Sequence, residues 1–136
     1  MMNTEAFLEP TFYIDSNAPL VRERSQHLVR GVTAQREKAI TIFYAVRDGI
    51  RYTIYGKRSL PEHFRAGYIL STGEGYCVQK AILLVALSRA ASIPARLRFA
   101  AIRNHLMPSE LLEKRGTNFF AYHGYTDLYI EGSWVK

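Results

Sequence analysis

Apolar residues recur along this chain in two rhythms, a helical one over roughly the first ninety residues and a strand-like one toward the end. Between Thr33 and Ile50, the residues Ala39, Ile42, Phe43, Val46 and Ile50 fall on one face of a 3.6-residue helix, so an amphipathic helix with all five in the core is predicted. An earlier helix is predicted from Pro19 to Arg30, with Asp15 or Ser16 placed to cap it, proline in its first turn and Gly31 as its stop. From Cys77 to about Ala91 the residues are apolar almost all round, the mark of a helix buried on most sides. Pro94 stops that helix, and Ala95 to Arg103 reads as a strand. Met107 to Gly116 has a proline start and a glycine stop, as a surface helix would. Asn118 to Ile130 is a long strand, and Glu131-Gly132 turns it into Ser133-Trp134-Val135. Shorter signals are Thr11 to Asp15 as a strand or an arm on the core, Arg51 to Tyr55 as a strand, and Pro61 to Arg65 as a helical turn. Helices first and antiparallel strands last make an α+β pattern, with the buried helix central and packed on the sheet.

Composition narrows the function. At 136 residues the chain is read as one domain, 1–136, and its 48% hydrophobic content is that of a folded protein rather than a disordered one. Its longest wholly apolar run, Ala81 to Leu87, falls far short of the roughly 20 residues that span a bilayer. The first ten residues lack the basic and apolar regions of a signal peptide, so no membrane partner is expected. A single cysteine excludes an internal disulfide, and a reducing cytoplasm is the expected location. The net charge of +6 raises the question of nucleic acid. The arginines are scattered, however, and no zinc-ligand spacing or basic-region heptad accompanies them, so a solvated basic surface is expected. Steering of an acidic partner is the functional alternative. No spacing suggests a metal site and no acidic loop suggests calcium; no cofactor is expected.

The chemistry centres on Cys77. It follows the polar turn Ser71-Thr72-Gly73-Glu74-Gly75 and opens the apolar helix, where the positive end of the macrodipole favours a thiolate. His123 lies in the last long strand. A lone cysteine with a distant histidine is the arrangement of a nucleophile and its base, whereas the bland reading of a single cysteine is a small buried hydrophobe. The Cys77 backbone N–H is a natural oxyanion donor, and Tyr68 or Tyr76 could be the second. The group that orients the imidazole is unassigned. Asp127 is four residues from His123, roughly 13 Å along a strand and too far to hydrogen-bond to it, and Glu131 lies beyond a turn. His105 reads as a loop histidine bonding its own backbone, and His27 and His63 read as surface residues.

Two blocks together resemble the transglutaminase-like superfamily. The first is Gly75-Tyr76-Cys77, then Ala81 to Ala90 ending in Arg89-Ala90, then Ile93-Pro94-Ala95-Arg96; the second is His123, Tyr125 and Asp127 followed by Gly132-Ser133-Trp134. Tyr125 stands for the family's usual tryptophan, Asp127 for its glutamate, and Gln79-Lys80 for the small or acidic residues often found there. The resemblance implies a papain-like fold and a thiol enzyme acting on peptide or protein amides through a cysteine thioester. It favours hydrolysis, as in small bacterial-type members, over amine transfer, and Cys77 and His123 side chains within about 4 Å of each other. A catalytically silent scaffold or binding module is the alternative. The family's third catalytic residue, an aspartate after the tryptophan, has no match before Val135-Lys136. A truncated chain is therefore expected, able to self-associate through its C-terminal sheet edge.

Overall fold

The computed structural model describes residues 4–103 and 119–136, together with Ser109, Glu110, Glu113 and Gly116. His105 and most of the helix expected over Met107 to Gly116 lie outside these residues. The chain runs through a 3-10 turn (Glu5–Leu8), α1 (Pro19–Leu28), α2 (Gln35–Gly49), β1 (Arg51–Tyr52), a second 3-10 turn (Pro61–Phe64) and α3 (Ala66–Thr72). It continues through β2 (Glu74–Gly75), α4 (Cys77–Ala90), β3 (Ala95–Arg103), β4 (Phe119–Ile130) and β5 (Ser133–Val135). The architecture is α+β: a three-stranded antiparallel sheet in the order β3-β4-β5, and a separate parallel pair of β1 and β2.

Helix α4 is the axis of the fold. Leu83, Val85, Ala86 and Leu87 on it are wholly or almost wholly buried, and it packs against α1, α2, α3, β3 and β4 at once. That accounts for a sequence apolar all round rather than on one stripe. Val21, Ile42, Ile69 and Ile93 complete the same core from four other segments. Two buried hydroxyls fasten neighbours to α4 through its carbonyls: Ser25 donates to Leu87 and Thr126 to Ala81. The β4–β5 hairpin closes through Glu131 and Gly132, both with positive φ (51° and 89°), the geometry a two-residue turn needs to match strand twist.

Four expectations change. Asp15 does not cap α1, which begins after Ala18 without a side-chain cap. Instead its buried carboxylate accepts the Gly67 N–H and anchors the first turn of α3, a helix the chain pattern did not announce. Phe43 leaves the expected core stripe and is 45% exposed on the flank of α2. His63 is buried rather than on the surface, because its Nδ1 accepts the backbone N–H groups of Ser59 and Leu60. Thr11 to Asp15 forms an arm, with Tyr13 O accepting from Ala66 N and Phe12 O from the Arg65 Nε–H.

Candidate functional site

The first turn of α4 is positioned by residues from well upstream. Gly73, at φ +71°, ends α3 in the left-handed conformation and swings the chain back so that β2 pairs with β1. That register sets Tyr52 opposite Gly75, two residues before Cys77. Gln79 then folds its buried amide toward the turn: Oε1 accepts the Tyr76 N–H at 3.1 Å while Nε2 donates to the carbonyls of Lys57 and His63, each at 3.0 Å. One side chain thus satisfies a free N–H at the helix start and ties down the 57–63 loop. The Lys80 ammonium donates to the carbonyls of Arg47 (3.1 Å) and Ile50 (2.7 Å), closing the C-terminus of α2 against α4. Burial lowers the Lys80 pKa, Asp48 partly offsetting it. The Gln79-Lys80 pair that departs from the family pattern is therefore structural.

Cys77 is a free, half-buried thiol at the N-terminus of α4, as the sequence anticipated. Tyr52, which sequence reasoning did not single out, is coupled to it. Desolvation raises the Tyr52 phenol above its ordinary pKa and the neighbouring thiolate pushes it the same way, while a hydrogen bond from the Cys77 backbone pulls it back. The only available signal was the alternation of Arg51 to Tyr55, and it could not show that this segment pairs with Gly75.

Strand β4 meets α4 at the same point. A Cβ on Gly124 would lie 2.9 Å from the Val78 Cα, so the residue after His123 lies directly against the residue after Cys77. Only glycine allows that approach. In the β3–β4 ladder, Ala100 pairs with His123 and Ile102 with Phe120, so β4 carries one extra residue, a bulge, immediately before His123. Bulges re-aim the side chain beside them. Beyond it, Gly124, Thr126 and Leu128 turn toward α4, while His123, Tyr125 and Asp127 share the other face.

Asp127, 4% exposed, sits between Arg96 Nε at 3.1 Å and Arg98 Nη1 at 3.2 Å and cross-links β3 to β4. Arg96 also lies 3.9 Å from the Trp134 ring, which meets Tyr129 and Phe7 edge-on. Of the two tyrosines considered as oxyanion donors, Tyr76 packs on Phe64 under the Arg58 guanidinium; desolvation raises its phenol, Arg58 lowers it and Cys77 adds to the rise. Tyr68 lies against His63 and lines a pocket with Gly56, Lys57 and Gln79. Among the described residues, no three His, Cys, Asp or Glu side chains converge as metal ligands would, and no helix is long and apolar enough to cross a membrane.

Comparison with known proteins agrees with this geometry. The family model of the transglutaminase-like superfamily core matches residues 22–136. A solved structure of a candidate cysteine protease from Cytophaga hutchinsonii superposes with a TM-score of 0.74 at 24% identity, covering 96% of this chain and 39% of its own. A candidate protease from Parabacteroides distasonis superposes at 0.54 with 16% identity, covering 98% of this chain and 25% of its own. This chain thus spans well under half the length of both, and the likeness to them is one of fold. No curated protein matches.

Proposed function

Because the chain belongs to the transglutaminase-like superfamily, we propose that it is a cysteine-dependent enzyme of peptide or protein amides, hydrolytic rather than amine-transferring. The observation that carries this reading is the meeting of α4 and β4: Cys77 opens the helix, His123 precedes the glycine seated on Val78, and an apolar cavity opens beside the thiol. In this reading His123 takes the Cys77 proton, and the sulfur attacks the amide carbonyl carbon to form a C–S bond. The resulting oxyanion is held by the Cys77 N–H once substrate displaces Tyr52 from it, with the Tyr52 hydroxyl, or that of Tyr76 or Tyr68, as second donor. On collapse the C–N bond breaks, and His123 returns the proton to the leaving amine. Water then cleaves the thioester, yielding the acid and the free thiol. The one cysteine and the lack of a membrane-length helix fit a cytoplasmic setting.

A silent scaffold has one observation in its favour. The acidic side chain nearest along the His123 strand, Asp127, is committed to Arg96 and Arg98 and is not available to orient an imidazole. Iodoacetamide labelling separates the two readings, since Cys77 is the sole thiol. Labelling should be rapid near neutral pH, slower in His123→Ala and absent in Cys77→Ser, and casein-type or peptide amides should be cleaved only by proteins retaining both residues. Equal labelling rates in wild type and His123→Ala, without amide cleavage, would leave the scaffold reading standing.

A further inference from the structure

Strand β5 covers only part of the edge it adjoins. It pairs with Leu128, Tyr129 and Ile130, and among the described residues no strand continues the pairing toward His123. The Tyr129 N–H donates to Pro94 O, on the β3 side. In a regular antiparallel ladder successive residues alternate, so Gly124 and Thr126 direct their N–H and C=O groups to the uncovered edge. Directly behind that edge lies a cavity of about 300 Å³ with Cys77 in its wall and Phe43, Val46, Ala81, Leu84 and Leu128 supplying its apolar lining. Its volume equals roughly ten waters at about 30 Å³ each, room for one large apolar side chain. The mouth carries Arg47, Lys80 and Lys136, against which the carboxylate of Asp48 neutralises only Arg47.

Resting on the reading of Cys77 as nucleophile, we propose that this edge and cavity bind the substrate as an added strand. The ligand is an extended peptide bonded to Gly124 and Thr126, with one leucine- or phenylalanine-sized side chain in the cavity and acidic residues flanking it at the basic mouth. The unpaired edge supplies backbone hydrogen bonds without regard to sequence, and the cavity and the cations supply selectivity. The net charge of +6 acts in the same direction on the approach of an acidic segment. It also explains why Phe43 leaves the core: its ring forms part of the cavity wall.

The test uses short capped peptides with Phe, Leu or Gly at one position and Glu or Lys beside it, in two assays. Binding to the Cys77→Ser protein, read by fluorescence anisotropy, should be at least tenfold tighter for Glu-flanked Phe or Leu than for Glu-flanked Gly, and should weaken with added salt. Phe43→Asp should abolish that preference. Cleavage by the wild type should follow the same order, mainly through KM. Cleavage of all peptides alike would overturn the proposal and leave the thiol enzyme intact, whereas slow Cys77 labelling with no cleavage would overturn both. Sedimentation supplies the remaining arm. A dimer that acidic peptides fail to dissociate would assign the edge to a second copy of the chain and overturn the proposal.

Discussion

The two faces of β4 show how one strand can carry two kinds of residue in alternation. Toward α4 it presents Gly124, Thr126 and Leu128, all buried and each fitted to the helix: a close backbone approach, a hydroxyl bonded to the Ala81 carbonyl, and an apolar core contact. On the other face Asp127 is neutralised by two arginines beside the Trp134 stack, while His123 stands at the bulge where the ladder shifts register. Motif residues at i, i+2 and i+4 share a face by strand geometry, but sharing a face does not give them a shared role. Asp127 holds the sheet together. His123 is the member of the set placed where β4 touches the start of α4.

The comparison breaks most visibly at Gly124. In Gly124→Val the new side chain meets the Val78 Cα, a backbone atom that cannot rotate away, so either β4 or the start of α4 must move. A destabilisation of about 1–3 kcal/mol is expected from overpacking of this kind. It should appear as a lower urea midpoint, together with loss of any amide cleavage. A midpoint unchanged from wild type would mean that β4 does not press on α4 as described.

Much of this arrangement could be read from the residues alone, where the signals are local. The all-round apolar run after Cys77, the Ile93-Pro94 stop and the Glu131-Gly132 turn each predicted the element found there. What escaped depends on partners distant in sequence. Helix α3 is seven residues with a glycine, too short to stand by its own propensity, and its anchor is Asp15, fifty-two positions away. Gln79 looked like an anomaly because its partners, Lys57 and His63, lie in a loop with no periodic pattern. Tyr52 was invisible for the same reason, since its proximity to Cys77 is created by the β1–β2 register.

On the opposite face, Asp127→Ala should cost less and leave the thiol alone. It strands two guanidinium groups, but the Arg96 and Arg98 side chains are 30% and 50% exposed and recover solvation, so the loss should fall below that of a fully buried pair, about 1–2 kcal/mol. Iodoacetamide should label Cys77 at the wild-type rate in the folded variant. A labelling rate that fell together with stability would show that the outer face does act on the thiol, and the division between the two faces would fail.

The smallest effect is expected at Tyr52, where the parallel strand pair meets the start of α4. Its ring is well exposed, so Tyr52→Phe should change stability little at neutral pH, and the informative variable is pH. The native phenol holds its proton more tightly than the unfolded one, whose pKa is 10.0, because of desolvation first and the Cys77 thiolate second, against the Cys77 backbone, with Arg58 also lowering and Tyr76 raising it. A raised native pKa gives a stabilisation that is fully present below the unfolded value and is lost as pH climbs from there through the native one. Wild type should therefore lose stability more steeply than Tyr52→Phe above about pH 10, while the other tyrosines titrate in both proteins and cancel in the difference. Urea unfolding of the two proteins between about pH 8 and pH 11 measures that difference directly. Parallel curves across the range would mean that Tyr52 titrates as it does in the unfolded chain, and that the parallel strand pair does not bring its hydroxyl to Cys77.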